Sequence, residues 1–312
     1  MAWDISDSEL SQLTTDYILS ATPVDQWMTA TPLLSMLRGR LEVRHEGGEE
    51  FFEPLLVTKN TSVGSYSDYD AFDISPIEQM KGARWPVKSY YGTITVSGDE
   101  EDAQAGEHAV VRILNGKVVN TRDSMLDLMA TDLFSTNDDT TKGFTGLRAM
   151  LCSASSTVAG VDQSTYSWWR RGYADESTTL AELDLDAMQA VYGAVTVGMD
   201  MPDLVITTQT IWNAYWSLLQ AGQTFEGPMA AGGFRTLMFN NAAVVADPYC
   251  PAGHMFFLNT KYWKLVVRSN RNFHFRPFQT PVDQDCRVAQ FLFKGAVVCT
   301  RPNRQAVLTA LT

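Results

Sequence analysis

The chain has 312 residues, 45% of them hydrophobic and 19% charged, which suits one large domain or two ordinary ones and is too apolar for a disordered chain. Thirty-six Asp and Glu against 24 Lys and Arg give a net charge of −12, the wrong sign for a protein that grips nucleic acid mainly through phosphates. No apolar run reaches the roughly 18–20 residues of a membrane span, and Met1-Ala2-Trp3-Asp4 lacks the basic and apolar regions of a secretory signal.

In chain order, residues 1–37 hold five acids (Asp4, Asp7, Glu9, Asp16, Asp25) and no Lys or Arg. Residues 5–19 allow a short amphipathic helix, and Pro23 and Pro32 then break the backbone. The pattern is that of an arm lying on something else. Phe51–Thr58 and Val87–Val96 read as two strands joined by a long excursion. That excursion, residues 60–73, is polar but carries Tyr66, Tyr69 and Phe72. Aromatic side chains on so long a loop point to a protein contact.

Ser97-Gly98-Asp99-Glu100 fits a capping box, and four acids at 99–102 complement a helix dipole. Val110, Leu114, Val118, Met125, Met129 and Leu133 then recur at helical spacing. The spacing predicts one long helix over 99–134. Further on it predicts helices over 179–191 and 211–221, with Thr208 or Thr210 as a cap. Strands are expected at 202–207, 236–239, 243–246, 255–258 and 264–267. The end of the chain reads as a hairpin, 288–293 and 296–300, turning at Lys294-Gly295. Residues 261–304 carry nine Lys or Arg and only Asp283 and Asp285 as acids. Opposite charge at the two ends of one chain suits contact between copies of it.

Motifs for chemistry are lacking. There is no G-x-S-x-G, no phosphate-binding Gly loop and no EF-hand loop. Cys152, Cys250, Cys286 and Cys299 form no C-x-x-C pair, and His45, His108, His254 and His274 do not flank them at zinc spacing. Four reduced, mostly buried thiols are expected, with no metal, no cofactor and no catalytic residue. His254 and His274 sit among apolar neighbours and read as packing or hydrogen-bonding histidines. Trp168-Trp169-Arg170-Arg171 reads as packing or a subunit contact before a base-stacking platform.

The order of elements resembles the major capsid protein of tailed bacteriophages, whose fold is shared with encapsulins and the herpesvirus capsid floor. Residues 84–100 (RWPVKSYYGTITVSGDE) are similar to the strand that leads from the extended loop into the spine helix. Residues 202–207 (PDLVIT) resemble the strand before the axial-domain helix. Asp247 and Cys250, with Phe256, Leu258 and Asn259, resemble a later stretch of these shells.

The resemblance implies an α+β phage major capsid fold. It places an N-terminal arm at 1–45, an extended β-hairpin loop at 46–96 and a peripheral domain at 97–176 and 282–312. The spine helix would be 99–134 and the axial domain 177–281. It implies a structural protein, not an enzyme, that self-assembles as hexamers and pentamers into an icosahedral virion shell in the bacterial host cytoplasm. The shell would enclose double-stranded DNA without binding it specifically. A separate scaffolding protein, a portal and decoration proteins are the expected partners, with no membrane. Tyr66, Tyr69, Phe72 and the five arm acids are the candidate inter-subunit contacts. Lys59, Lys81 and Lys88 are the loop lysines open to cross-linking. An encapsulin-like nanocompartment is the alternative, and behind it an acidic carbohydrate-active enzyme or binding module.

Overall fold

The computed structural model describes residues 32–40, 42–102, 107–153, 157–175, 183–220, 237–309 and 311. The arm acids Asp4, Asp7, Glu9, Asp16 and Asp25, and the helix expected over 5–19, lie outside the described residues.

Two sheets carry the structure. The first is built from β1 (Glu42–His45), β4 (Lys88–Ser97), β12 (Trp263–Arg268), β13 (His274–Gln279) and β14 (Cys286–Cys299). Its order is β1-β12-β14-β13, and β4 also pairs with β14. The second runs β7-β15-β11-β8-β10-β9, where β7 is Tyr173–Asp175, β8 Leu204–Thr207 and β9 Leu237–Phe239. In it β10 is Ala242–Ala246, β11 Met255–Leu258 and β15 Ala306–Leu308. Two smaller pairs complete the strands: β2 (Glu50–Leu56) with β3 (Met80–Pro86), and β5 (Thr157–Val158) with β6 (Val161–Asp162).

The helices are α1 (Pro32–Arg40), α2 (Gly98–Asp102), α3 (Glu107–Leu133), α4 (Leu147–Leu151), α5 (Leu185–Val195) and α6 (Gln209–Gln220). The capping box forms as its residues dictate. Ser97 N–H donates to Glu100 Oε2 at 3.1 Å, and Glu100 N–H donates to Ser97 Oγ at 3.2 Å. Glu100 also meets Lys117 of α3 at 2.6 Å. The predicted long helix is present as α2 and α3, and residues 103–106 between them lie outside the described residues. At 1.5 Å per residue, α3 is about 40 Å long. Asp184 caps α5 by accepting from Ala187 N–H at 2.7 Å, so that helix starts six residues later than the spacing predicted. Thr208 caps α6 through Ile211 N–H at 3.5 Å.

The second sheet is a wall between two cores. Ile206, Phe256, Leu258 and Val307 point into one cluster, with Leu33, Met129, Phe144, Trp169 and Phe293. Their sequence neighbours Val205, Met255, Phe257 and Leu308 point into the other, with Met188, Tyr192, Ile211 and Tyr215. Period-2 alternation sends neighbouring residues of one strand to opposite faces. α1 joins the first core: buried Asp247 accepts from Leu33 N–H at 3.3 Å and from Tyr249 N–H at 3.0 Å. Burial pushes its carboxyl up from the ordinary value, against those two donors.

Two sequence expectations are corrected here. The return strand of the extended loop is β3, in register from Glu50↔Pro86 to Leu56↔Met80, and the expected strand 87–96 instead pairs with β14. A short break at Val87 separates the two, and reading only β-branched content hid it. The C-terminal hairpin does not form, because β14 runs unbroken from Cys286 to Cys299. Gly295 is not a turn residue. It lies opposite both Lys88 and Val267, and a Cβ there would sit 2.8 Å from Val266 O. Close backbone approach, rather than a turn, requires the glycine. In sheet membership, β12 belongs to the first sheet, and β7 and β15 to the second.

Gly295→Ala should therefore destabilise the folded subunit by about 1–3 kcal/mol through overpacking. A lowered denaturant midpoint at unchanged slope is the expected result, and an unchanged midpoint would restore the turn.

Candidate functional site

The β2/β3 hairpin leaves the body with no core of its own. Phe52, Leu56, Val63, Tyr66, Tyr69, Phe72, Ile74 and Met80 are all exposed, Tyr69 and Ile74 almost completely. Residues 57–79 between the strands adopt short polar turns. Ser62 N–H donates to Asn60 Oδ1, Ser67 N–H to Asp70 Oδ2 and Ser75 N–H to Asp73 Oδ1. These Asx-type bonds satisfy the backbone locally but bury nothing. Of the predicted aromatics, Tyr66 and Phe72 meet edge to face at 5.0 Å, and Tyr69 points away alone, 102% exposed.

The sequence reading singled out three of the eight exposed apolar residues. Phe52 and Leu56 lie on the predicted strand 51–58, whose pattern does not say which face is bare, and Met80 lies on β3, a strand that composition alone does not mark.

The base of the hairpin is fixed in contrast to its tip. Trp85 is fully buried beside Trp169, with ring centroids 6.4 Å apart. Arg84 N–H donates to Ala159 O at 2.9 Å. Ala159 and Gly160 form the tight β5–β6 turn with φ of 55° and 70°, the left-handed pair typical of two-residue hairpins. Ala159 holds this conformation at a cost of about 1–2 kcal/mol. Gly160 N–H in turn donates to Asp139, and Lys88 Nζ donates to the carbonyls of Asp139 and Thr141 at 2.6 and 2.5 Å. Lys88 is buried, and burial lowers its pKa against the pull of Asp139 and Asp138. It holds the fold together and is not open to cross-linking. Lys264 meets Glu53 at 3.0 Å, and Lys81 lies over the Tyr166 ring at 3.4 Å.

The Trp168–Arg171 stretch packs under this base. Trp169 Nε1 donates to Val158 O at 3.0 Å, and Arg170 caps the carbonyls of Gln163 and Ser164. A cleft of about 380 Å³ runs between the hairpin and the body, lined by Leu55, Leu56, Trp168, Tyr262, Arg301 and Arg304.

The other residues tested for chemistry are structural. His254 Nδ1 lies 2.8 Å from Ala252 O, and its ring stacks on Phe256 at 5.8 Å. His274 lies exposed on β13. Cys250 and Cys299 are buried free thiols, and burial pushes Cys299 up to about 12. Among the described residues, no cluster of His, Cys, Asp or Glu is arranged to hold a metal ion, and no helix is long and apolar enough to cross a membrane. The feature that calls for an explanation is a surface, the hairpin.

No known protein family and no curated protein matches the sequence. The fold does match solved structures over nearly its full length. It is similar to the cyanophage A-1(L) capsid asymmetric unit at TM-score 0.66 and 17% identity, covering 96% of this chain and 99% of that one. It is similar to the capsid of a native GTA particle at 0.66 and 14%, covering 95% of each chain. The holo-SrpI encapsulin complex of Synechococcus elongatus PCC 7942 matches at 0.61 and 9%, covering 97% of this chain and 95% of that one. The chain has the α+β major capsid fold.

The anchored base and bare tip predict opposite mutational responses. Trp85→Ala should cost about 3–5 kcal/mol of subunit stability. Tyr69→Ala should change it by less than about 0.5 kcal/mol. Denaturant unfolding of the isolated subunit measures both.

Proposed function

We propose that this chain is a major capsid protein that builds an icosahedral shell from copies of itself, as hexamers and pentamers, around a double-stranded DNA genome. The observation that carries the reading is the hairpin: two strands and the loop between them that together expose eight large apolar side chains. Monomeric proteins rarely expose so many on one projecting element unless something covers them. A neighbouring copy is the natural cover in a fold that otherwise matches capsid subunits end to end. Tyr66, Tyr69 and Phe72 are then inter-subunit contacts.

In this reading the first sheet with α3 forms the peripheral part of the subunit, and the second sheet's α5–α6 side forms the axial part. The function is structural, without catalysis. Binding energy is spread over large repeated interfaces. A separate scaffolding protein, a portal and decoration proteins are the proposed partners, the virion capsid the location, and the host cytoplasm the place of assembly.

The encapsulin-like alternative has one observation behind it, the whole-chain similarity to an encapsulin. Cargo separates the two readings. Particles from the natural source that protect DNA from nuclease support the capsid, and particles holding a protein cargo instead support the compartment.

The test is assembly. Purified or coexpressed chain, with scaffolding protein supplied, should give closed particles by light scattering and negative-stain microscopy. A compact monomer under every condition would overturn the proposal. The tip, residues 57–79, should be cut quickly by protease before assembly and slowly after it. Equal rates in both states would remove the hairpin from the interface.

The acidic arm gives a further expectation. Exposed ion pairs contribute only about 0–1 kcal/mol each and are screened beyond about 8–10 Å, so they tune assembly rate more than final stability. Neutralising Asp4, Asp7, Glu9, Asp16 and Asp25 with Asn or Gln should slow assembly most at low salt. Unchanged rate and salt dependence would show that the arm guides nothing.

A further inference from the structure

Where β4, β14 and β13 pair, the first sheet has one covered face and one open face; towards β12 the same face is closed, with Val266, Ala296 and Val298 buried. Along β4, Lys88, Tyr90, Gly92, Ile94 and Val96 are buried, while Ser89, Tyr91, Thr93, Thr95 and Ser97 are exposed. α3 packs on the buried side, so closely that a Cβ on Gly92 would lie 2.6 Å from Thr121 Cγ2. Residues directly opposite in an antiparallel pair share a face. The register therefore adds Lys294 beside Ser89, and Gln290 with Arg276 beside Thr93. His274 follows beside Leu292 and Tyr91. Hydroxyls and two cations thus share the open face with Tyr91, Val288 and Leu292.

The sign of its charge is reversed relative to the chain. Strands β4, β12, β13 and β14 contain no Asp or Glu, although the chain carries 36. The adjoining acids, Asp283 and Asp285, lie in the connection before β14 at the end of the sheet, where the Asp285 carboxylate packs against Gly98. Lys264 of β12 is matched by Glu53 of the hairpin and Arg268 by the Gly48 carbonyl, and Arg287 lies on the other face opposite Val96, which leaves Arg276 and Lys294 as the forward cations.

We propose that this open face is a phosphate-facing surface for duplex DNA, and, resting on the shell reading above, that it lines the lumen. Arg, Lys, Ser and Thr are the side chains that meet phosphate and sugar oxygens. A sheet face several strands wide does not enter a groove to read base edges, so no sequence preference follows. Two cations per copy bind weakly alone, and repetition over many copies multiplies the effect. Such a wall touches DNA at many points while a net charge of −12 keeps the subunit from gripping it.

The test measures binding of a short mixed-sequence duplex to purified subunits, by fluorescence anisotropy over a series of salt concentrations. The parent should bind at low salt. Arg276→Gln with Lys294→Gln should flatten the plot of log K against log salt by roughly two units, about 0.9 per lost phosphate contact. Lys59→Gln with Lys142→Gln, two exposed cations elsewhere, should leave it unchanged. No binding by the parent at the lowest salt, or equal slopes in parent and sheet variant, overturns the phosphate face.

Placement is read separately. Thr93→Cys should react with a polymer-bearing maleimide in free subunits and be protected in closed particles, relative to the parent. Reaction in closed particles overturns the lumenal placement and leaves the face to a protein partner outside. If microscopy finds no closed particles at all, the shell reading fails, and the duplex slopes still decide the phosphate face.

Discussion

The structure depends on one strand being apolar on both sides. Met255-Phe256-Phe257-Leu258 is buried at every position, and its side chains feed two cores in alternation. A strand that buries only one face needs alternation of apolar and polar residues, whereas a strand inside a wall needs a continuous apolar run. β8 supplies the same logic with Val205 and Ile206, and β15 with Ala306, Val307 and Leu308. Because one sheet serves both cores, neither half of the subunit can shift without repacking the other. Polar groups at the rim of the wall lock the strand ends. Asn259 N–H donates to Gln305 Oε1 at 2.8 Å, and Asn259 Nδ2 donates to Asp200 Oδ1 at 2.9 Å. Asp203 holds Thr260 through its backbone N–H and its hydroxyl.

That rigid body makes the extended hairpin possible. A two-stranded hairpin is marginal by itself in water. Here its base is held by buried Trp85, by the Arg84–Ala159 bond and by the Lys88 hub, so the tip can project without unravelling at the root. The hairpin's own face gives little stability to the subunit. Its apolar side chains stay in water until a partner arrives, and each large one covered contributes about 1.5–3 kcal/mol before ordering costs. Stability is concentrated in the body and bare apolar surface in the hairpin, so tip substitutions should leave the stability of the subunit nearly unchanged.

Local signals in the sequence were reliable where one short rule decides the outcome. The Ser97–Glu100 capping box, the Thr208 cap and the strand 255–258 all follow from residues within four positions of each other. Errors came where a distant partner decides. Gly295 resembles a turn in sequence, and only the backbone of Val266 across the ladder makes it a strand glycine. β3 carries Gly82 and Pro86, residues that weaken a strand by themselves, and it becomes a strand because β2 pairs with it. Gly82 also makes room for the Phe52 ring, which a Cβ would meet at 2.1 Å. The loop aromatics Tyr66, Tyr69 and Phe72 were legible as a surface because exposure of aromatic residues is costly wherever it occurs. The strand residues Phe52 and Leu56 were not, since an apolar residue on a predicted strand is assigned inward until the fold shows which face is bare.

The charge distribution sets a limit on how such subunits can associate. Copies of a chain with net charge −12 repel one another, but the repulsion is screened beyond about 8–10 Å at physiological salt. What remains is a local matter: which faces meet within that distance. The apolar hairpin contributes only at contact, where the long-range term is already weak. The acids are not spread evenly, for the first sheet carries none on its four long strands. Segregation of this kind lowers repulsion where cationic surface meets acidic surface and concentrates it elsewhere. If subunits associate as proposed, they would have preferred orientations before any apolar contact forms. Uneven charge and bare apolar surface thus lie on separate elements of one fold.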